Sequence, residues 1–272
     1  MKPLPFLNPA AATPAVRNPA RPAVIAPTQA VDADELAAEC AAAEATGVVD
    51  VIEWRVDPLL ARAQGDGAAP GAGNPPAEAV LGLLPAATGA GLPVLVTVRT
   101  AFEGGLVDIA ESDYAEVMRD LIAGIAAAEA GPVPVALDVE IDRAEAPALI
   151  NSAGQNGIAV IASHHSFEST DSYESLLAAF RAMDEAGAAV AKVAMMPQSP
   201  AEVARLLAAT AEADSSLGVP VLGISMGPVG RTSRIMGADF GSCATFAQVG
   251  RASAPGQIDA VRLAEILDRI CD

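Results

Sequence analysis

Lysine is rare in this chain, and one lysine stands where a charged side chain is unexpected. The 272 residues contain 14 Arg but only two Lys, Lys2 and Lys192. Lys192 lies inside the apolar run Val190–Met195, which predicts a buried strand. A desolvated lysine beside arginines can supply a neutral amine, which arginine cannot. The pattern favours an imine-forming nucleophile; the alternative is a scaffold lysine paired with Glu53 or Glu140.

The two histidines of the chain, His164 and His165, are adjacent and end another apolar run. Neighbours in an extended strand point to opposite faces, so one of the two can face a site. An imidazole near a lysine imine is suited to moving protons near pH 7. A metal site is the competing interpretation. Because adjacent histidines rarely ligate one ion and no third histidine exists, we predict no metal site.

Ionisable and polar residues recur at the ends of the predicted strands, where a barrel carries its chemistry. The arginines among these residues indicate an anionic substrate. A carboxylate is favoured over a phosphate because no glycine-rich phosphate loop accompanies the arginines. The residues alone therefore predict an imine-forming enzyme that acts on a carboxylated ketone. In chain order they are Glu53, Arg55, Asp57, Arg99, Glu103, Asp138, Glu140, His165, Lys192, Arg231, Arg234, Ser253 and Gln257.

Short apolar runs alternate with Ala/Leu-rich segments of helical period, giving eight βα units. Such alternation implies a parallel sheet, and eight units over about 250 residues favour an α/β fold of the (β/α)8 TIM barrel type. We predict a single barrel domain over residues 23–272, preceded by a flexible, Pro/Ala-rich extension over residues 1–22. The second strand is expected at Val48–Glu53, and Gln64–Pro76 is expected to be a loop.

Net charge is −18 and hydrophobic residues make up 52% of the chain. A strongly acidic protein repels nucleic acid and anionic lipid, so we expect neither as a partner. No apolar run is long enough to predict a transmembrane helix. The cysteines Cys40, Cys243 and Cys271 show no metal-ligand spacing, which favours a reduced, cytoplasmic location.

Several motifs, in order along the chain, resemble those of type I 3-dehydroquinate dehydratases. The resemblance implies a TIM barrel lyase that removes water from 3-dehydroquinate to give 3-dehydroshikimate, in the shikimate route to aromatic compounds. It also implies a homodimer and a small-molecule substrate. The matching stretches are Glu53–Asp57, Thr97–Arg99 with Glu103–Gly105, Ser163–Phe167, Lys192–Pro197, Ser225–Gly227, Gly230–Arg234, Phe240–Phe246 and Ala252–Ile258.

The same resemblance implies roles for individual residues. Lys192 is expected to form the imine and His165 to act as general acid and base, with Glu103 orienting it. Because the lysine provides the electron sink, the resemblance implies no metal and no organic cofactor. The resemblance assigns substrate binding to Glu53, Arg55, Arg99, Arg234, Ser253 and Gln257, with Arg234 on the substrate carboxylate and Ser253 and Gln257 on a closing loop. Two positions depart from the family pattern. Ser166 replaces a residue that is often acidic, and His164 occupies a position usually held by other residues.

Two other functions remain open at this point. A class I aldolase also forms a lysine imine in a barrel, but such aldolases usually cleave phosphorylated sugars and no phosphate site is evident in this sequence. A barrel that only binds a metabolite is the alternative from a different class. The pairing of Lys192 with His165 argues against it.

Overall fold

The computed structural model describes residues 1–7, 18–65, 76–128, 133–250 and 254–271. Its centre is a parallel sheet with the strand order β7-β6-β5-β4-β3-β2-β1-β8-β9. Within the described residues the strands are β1 (Ala23–Thr28), β2 (Val51–Arg55), β3 (Val94–Thr97), β4 (Val135–Glu140), β5 (Val160–Ser166), β6 (Val190–Met195), β7 (Val221–Ser225), β8 (Ala244–Gln248) and β9 (Ile258–Asp259).

Helices connect the strands and cover the outside of the sheet. They are α1 (Ala33–Ala45), α2 (Asp57–Gly65), α3 (Pro76–Thr88), α4 (Glu111–Ala127), α5 (Ala146–Gln155), α6 (Tyr173–Glu185), α7 (Pro200–Ser216), α8 (Arg231–Ile235) and α9 (Ala260–Cys271). Two 3-10 turns, Ala101–Glu103 and Gly237–Phe240, precede α4 and β8. No helix in the described ranges has the length and apolar character needed to cross a membrane.

The two ends of the strand order meet, which closes the sheet into a barrel. Val221 of β7 forms an isolated parallel bridge with Ser242, just before β8. The amide of Cys243 donates to the carbonyl of Val221 at 2.9 Å, and the hydroxyl of Ser242 accepts from the amide of Gly223 at 3.1 Å. The predicted (β/α)8 architecture, as a single domain, is confirmed.

Alternation along each strand separates two apolar regions. Side chains such as Val24, Ile52 and Val193 belong to the cluster between the sheet and the helices. The intervening positions, among them Ile25 and Leu95, fill the barrel interior. A residue's parity within its strand therefore decides which region it joins, because successive side chains leave a strand on opposite faces.

The N-terminal segment, residues 1–7, packs into this interior at the end where the strands begin. Leu4 and Phe6 are 4% and 5% exposed and join the interior cluster, where Ala23 and Ala136 leave room for them. The amine of Lys2 pairs with Asp214 at 3.0 Å. Residues 1–7, which belong to the predicted flexible extension, are packed in the structure because two apolar side chains gain burial there. Residues 8–17 lie outside the described ranges.

Local differences from the expected elements lie at one side of the barrel. β2 begins at Val51, three residues later than predicted, and α2 was not predicted. α2 starts at Asp57-Pro58, where proline at an early helical position is favourable because its missing N–H needs no partner. The helices α2 and α3 extend into the expected loop Gln64–Pro76, of which residues 66–75 lie outside the described ranges.

Candidate active site

The barrel interior changes from apolar to polar along the strands. The apolar layer includes Val51, Leu95, Ala136, Ile161 and Val190. Two positions further along the same strands the residues are instead ionisable or hydroxyl-bearing. Because parallel strands keep one register, these side chains form a second layer at the carboxyl ends, where barrel enzymes carry their sites. The members of that layer are Glu53, Thr97, Asp138, Ser163 and Lys192, all buried.

Lys192 extends from the middle of β6 into this polar layer and is only 4% exposed. Its amine lies 3.3 Å from Oδ2 of Asp138 and 3.9 Å from Oε1 of Glu53. The amine also lies 4.8 Å from the ring centre of Phe246, a cation–π distance. The sequence interpretation placed arginines beside this amine, whereas its ion pairs in the structure are with carboxylates. Those two carboxylates orient the amine and balance its charge as an ammonium.

His165 lies one strand away, near the end of β5. The register pairs Ser163 with Lys192, so His165 projects into the barrel one inward position beyond the lysine. Two residues along a strand correspond to roughly 6.6 Å. Burial, together with the charges of Arg99 and Lys192, holds the pKa of His165 well below its usual range. The imidazole is therefore neutral near pH 7 and able to accept a proton.

Glu103 holds the other side of the His165 ring. Oε2 of Glu103 lies 2.7 Å from Nδ1 of His165 and 2.6 Å from Nη1 of Arg99. Burial raises the pKa of Glu103 to about 8, although Arg99 opposes the rise. When Glu103 is ionised, Nδ1 must donate to it, which leaves the lone pair of Nε2 available to a bound molecule.

Arg99 joins the polar groups of three strands through its guanidinium. One nitrogen contacts Glu103 at 2.6 Å and Glu140 at 3.2 Å, and the other contacts Asp138 at 2.6 Å and Ser163 at 3.1 Å. A buried cation is tolerated only when it is paired and hydrogen-bonded, and Arg99 satisfies both conditions. Its contacts fix the carboxylates that in turn contact Lys192 and His165.

The glycines after Glu103 allow the loop to fold tightly against Arg99. Gly104 ends the 3-10 turn with a φ of 78°, in the left-handed region where glycine carries no penalty. A Cβ on Gly105 would stand 1.9 Å from the carbonyl oxygen of Arg99. Any larger residue at position 105 would therefore displace Glu103 from Arg99 and His165.

Glu53 and Arg55 project inward from β2 and are each held by a neighbour. Oε1 of Glu53 accepts from the hydroxyl of Thr97 at 3.1 Å. Arg55 donates twice to Asp57, at 2.7 Å and 2.9 Å. Asp57 also accepts from the amide of Leu106 at 3.0 Å, which ties the loop after β3 to β2. The half-buried Arg55 is thus oriented toward the cavity without being fully enclosed.

Arg234 on α8 differs from Arg99 in having no acidic partner. It is 2% exposed, and its guanidinium donates to the carbonyls of Phe246 and Pro255, both at 3.2 Å. Among the residues that the structure describes, no carboxylate forms an ion pair with it, and its Nε has no hydrogen-bond partner. Burial lowers the pKa of Arg234 to about 10. A buried, unpaired cation at a cavity wall is suited to binding an anion.

These groups surround one cavity of about 320 Å³. Its volume fits a small metabolite, and its apolar surfaces exclude water from the charged groups. The polar lining residues include Glu53, Arg55, Arg99, Glu103, His165, Lys192, Arg234 and Gln257, and the apolar ones include Leu106, Phe167, Ala194, Ile224, Met226, Phe246 and Ala254. All the residues to which the resemblance assigns a role thus line it except Ser253, which lies outside the described residues.

Comparison with known proteins places this arrangement in a family. The family profile described as type I 3-dehydroquinase matches residues 24–270. The chain belongs to the type I 3-dehydroquinase family. The 3-dehydroquinate dehydratase of Klebsiella pneumoniae (strain ATCC 700721 / MGH 78578) is 38% identical over 224 residues, which cover 80% of this chain and 82% of that protein. The sequence-based prediction of a type I 3-dehydroquinate dehydratase is confirmed.

Solved structures of 3-dehydroquinate dehydratases resemble this chain over nearly its whole length. The 3-dehydroquinate dehydratase of Geobacillus kaustophilus HTA426 has a TM-score of 0.78 at 30% identity, covering 92% of this chain and 91% of that one. The type I enzyme of Clostridium difficile has a TM-score of 0.79 at 28% identity, with 92% and 93% covered. The overall fold is therefore shared with these structures.

The loop after β8 of this type I 3-dehydroquinase is described from Ala254 onward. Ala254 and Gln257 reach the cavity, and the carbonyl of Pro255 accepts from the amide of Gly227 at 3.0 Å. A Cβ on Gly256 would stand 2.4 Å from the carbonyl oxygen of Gly227. Glycine at position 256 therefore lets this loop lie directly on the loop after β7.

Sequence reasoning placed Asp138 and Glu140 at the correct end of β4, but it gave Asp138 no role and considered Glu140 only as a scaffold partner of Lys192. In the structure Asp138 contacts both Arg99 and Lys192, while Glu140 accepts from the amide and hydroxyl of Thr100, both at 2.8 Å. Both acids occupy inward positions of their strand. That parity was the available signal, because two buried acids on one strand must be paired with cations from other strands.

Proposed function

We propose that this chain dehydrates 3-dehydroquinate to 3-dehydroshikimate through a covalent imine on Lys192. The observation that carries the proposal is that the buried amine of Lys192 and the Glu103-held imidazole of His165 line the same cavity. An amine that can bond to a ketone and a base that can reach the adjacent carbon are the two groups this elimination needs. Family membership indicates that the substrate is 3-dehydroquinate.

Imine formation begins when Lys192 gives up a proton and attacks the C3 ketone of the substrate. The carboxylates of Asp138 and Glu53 contact the amine and can accept this proton. The carbonyl oxygen leaves as water, and the new carbon–nitrogen double bond carries a positive charge as an iminium. The same carboxylates then stabilise that cation, which lowers the energy of the intermediate.

Elimination follows at the two carbons beyond the imine. His165 removes a proton from C2 with Nε2, and the electron pair moves into the iminium to give a neutral enamine. The electrons then return, the C1 hydroxyl departs, and His165 returns the proton to it so that water leaves. Hydrolysis of the imine consumes one water and restores Lys192. The net reaction is the loss of one water from the substrate.

Substrate binding is assigned to the remaining cavity residues. Arg234, which has no carboxylate partner among the described residues, binds the substrate carboxylate with its fork of donors. Glu53, Arg55 and Arg99 contact the substrate hydroxyls. Gln257, together with Ser253, belongs to a loop that closes over the cavity and keeps water from the imine. The Clostridium difficile enzyme was solved with covalent modified comenic acid, which supports covalent chemistry in relatives of this chain.

The direct test follows enone absorbance when the protein is mixed with 3-dehydroquinate, and traps the intermediate with borohydride for mass spectrometry. We expect absorbance to rise and one adduct to form on Lys192. Lys192→Ala removes both, whereas His165→Ala keeps the adduct and loses turnover. Lys2→Ala is the matched control, because Lys2 is the other lysine and pairs with Asp214 at the far end of the barrel.

The same experiment separates the proposal from its alternatives. A class I aldolase would give no enone with this substrate. A protein that only binds the metabolite would gain no covalent mass. The homodimer and the cytoplasmic location implied by the resemblance stay predictions, which sedimentation and cell fractionation would test.

A further inference from the structure

His164 follows Ser163 and precedes His165, but its side chain leaves β5 on the opposite face. Its ring lies between two acidic side chains from the loops on either side of the strand's end. Nδ1 lies 2.5 Å from Oδ2 of Asp142, in the loop after β4, and Nε2 lies 3.0 Å from Oδ2 of Asp171, in the loop before α6. One imidazole thus joins three separate segments of the chain.

These contacts determine the charge of the ring. A neutral imidazole has one N–H, so it can donate to one carboxylate only, whereas an imidazolium donates to both. Burial lowers the pKa of His164, but the hydrogen bonds to Asp142 and Asp171 outweigh it and raise the pKa to about 9. His164 is therefore a fixed cation at neutral pH. Because both nitrogens are engaged, we assign no metal ion to this cluster.

The cation stands beside the carboxyl group that holds His165. One oxygen of Glu103, one oxygen of Asp142 and one ring nitrogen of His164 all lie within 4.8 Å of one another. Glu103 is buried, and its Oε1 has no hydrogen-bond partner. A carboxylate in that environment is costly unless positive charge lies near it. Arg99 supplies one such charge, but the same guanidinium also pairs with Asp138 and Glu140.

We propose that His164 is a positioning residue for the dehydration: as an imidazolium beside Glu103 it favours the ionised form of that carboxyl group, so that Glu103 accepts from Nδ1 of His165 and Nε2 can take the substrate proton. The inference rests on the function proposed above. In the active state, His164 is a cation, Glu103 is an anion and His165 is a neutral base.

Removing the positive charge of His164 shifts the pKa values of two neighbouring groups in known directions. His164 lowers the pKa of Glu103 and also that of His165. The anions facing His164 are Asp142, Asp171 and Glu103, and the nearby cation on the Glu103 side is Arg99. Without the imidazolium, Glu103 holds its proton to higher pH, and a protonated Glu103 donates to Nδ1 instead of accepting. Nε2 then carries the hydrogen and cannot act as the base.

The charge can be measured in the free wild-type protein, because the chain contains two histidines. Nitrogen-15 labelling of histidine gives two ring systems, assigned by the spectrum of His165→Gln. At pH 7.5 we expect His164 to be an imidazolium with both nitrogens protonated and His165 to be neutral. A neutral His164 at this pH would overturn the proposal. This result does not depend on activity, so it fails or holds separately from the dehydratase function.

Kinetics test whether the charge matters for turnover. In His164→Gln we expect kcat to fall about tenfold, KM to stay within about twofold, and the acid limb of kcat/KM to move to higher pH. His164→Arg restores the charge and both donor directions, and should recover most of kcat. Asp171→Asn removes one of the two carboxylates that stabilise the His164 cation and should have a smaller effect in the same direction. It replaces His164→Gln in the test if that variant does not fold. Wild-type kcat and an unmoved acid limb in folded variants would refute the role.

Discussion

Nδ1 of His165 and Oε2 of Glu103 lie 2.7 Å apart, although 62 positions separate them in the chain. This contact selects the tautomer of the imidazole. With Glu103 ionised, the hydrogen is on Nδ1 and the lone pair of Nε2 is directed away from Glu103. With Glu103 protonated, the arrangement reverses and the base is lost. The ionisation of a buried carboxyl group therefore controls the proton transfer at a second residue.

Glu103→Gln should lower kcat about 100-fold with little change in KM, because a neutral amide accepts from Nδ1 more weakly than a carboxylate and does not stabilise the imidazolium that forms when His165 takes the proton. In the wild type, burial raises the pKa of Glu103 to about 8, so kcat/KM should fall as pH decreases through that value. The variant should lack this limb. Steady-state kinetics from pH 6 to pH 10 give the comparison. Glu145→Gln, on the surface, is the control; an unchanged profile in Glu103→Gln would contradict the assignment.

Asp138→Asn should weaken both the fold and imine formation. The Asp138 carboxylate accepts from Arg99 and Ser163 at 2.6 Å and pairs with Lys192 at 3.3 Å. Removing one member of a buried ion-pair set costs about 3 kcal/mol because the cations lose their compensation. Urea unfolding measures the loss, and the rate of borohydride trapping measures imine formation. Asp120→Asn, exposed on α4, should change neither; equal behaviour of the two variants would exclude this role.

Arg234→Met should bind substrate poorly and yet fold more stably. The uncompensated guanidinium is desolvated, which lowers the pKa of Arg234 to about 10 and costs free energy in the folded state. Removing the charge should raise the unfolding free energy by about 1 kcal/mol. KM should rise about 100-fold, since a carboxylate loses its charged partner. Arg231→Met, on the same helix but exposed, is the control. A variant that is both less stable and normal in KM would disprove the anion-site assignment.

Phe6→Ala should destabilise the barrel without affecting catalysis. Phe6 is 5% exposed inside the barrel at the end opposite the cavity. Truncating a buried phenylalanine costs about 3–5 kcal/mol, and partial relaxation of a terminal segment favours the lower value. Urea unfolding should show the loss, while kcat/KM per folded molecule stays within about twofold. Val261→Ala, exposed on α9, provides the comparison. An unaltered unfolding midpoint in Phe6→Ala would mean that residues 1–7 do not pack as described.

His164 should make a pH-dependent contribution to stability. Its pKa is raised from 6.5 to about 9 by Asp142 and Asp171, so folding favours the protonated form. The contribution is complete below about pH 6.5 and is lost as pH rises through about 9. Compared with His164→Gln, the wild type should be more stable by about 2 kcal/mol at pH 6.5, and the difference should shrink towards pH 10. Denaturant titrations at several pH values test this; a difference independent of pH would contradict the charge assignment.

The sequence predicted the barrel and most of its site because both depend on local patterns. Apolar runs of strand length and their alternation with helical segments indicated eight βα units. The inward parity of Glu53, Arg55, Lys192 and His165 could be inferred from period-two alternation alone. The resemblance of the ordered motifs to those of type I 3-dehydroquinate dehydratases then assigned roles to these residues.

Other features required the folded chain. The sequence suggested arginines beside Lys192 or, as the alternative, an ion pair with Glu53 or Glu140, whereas register and closure bring Asp138 and Glu53 into contact with the amine. Residues 1–7 looked like part of a flexible extension because Pro and Ala dominate that region, whereas the space left by small residues inside the barrel is filled by Leu4 and Phe6.

The sequence by itself determined the order of the strands and most of the helices, the face that each strand residue occupies, and the chemical groups available at the carboxyl ends of the strands. Only the tertiary structure decided which of those groups touch, and therefore which are charged. His164 illustrates the difference: its type and position are local facts, but its charge depends on Asp142 and Asp171, which reach it from two different loops. Electrostatic interactions act through distances in space, and those distances are set by barrel closure, not by separation along the chain.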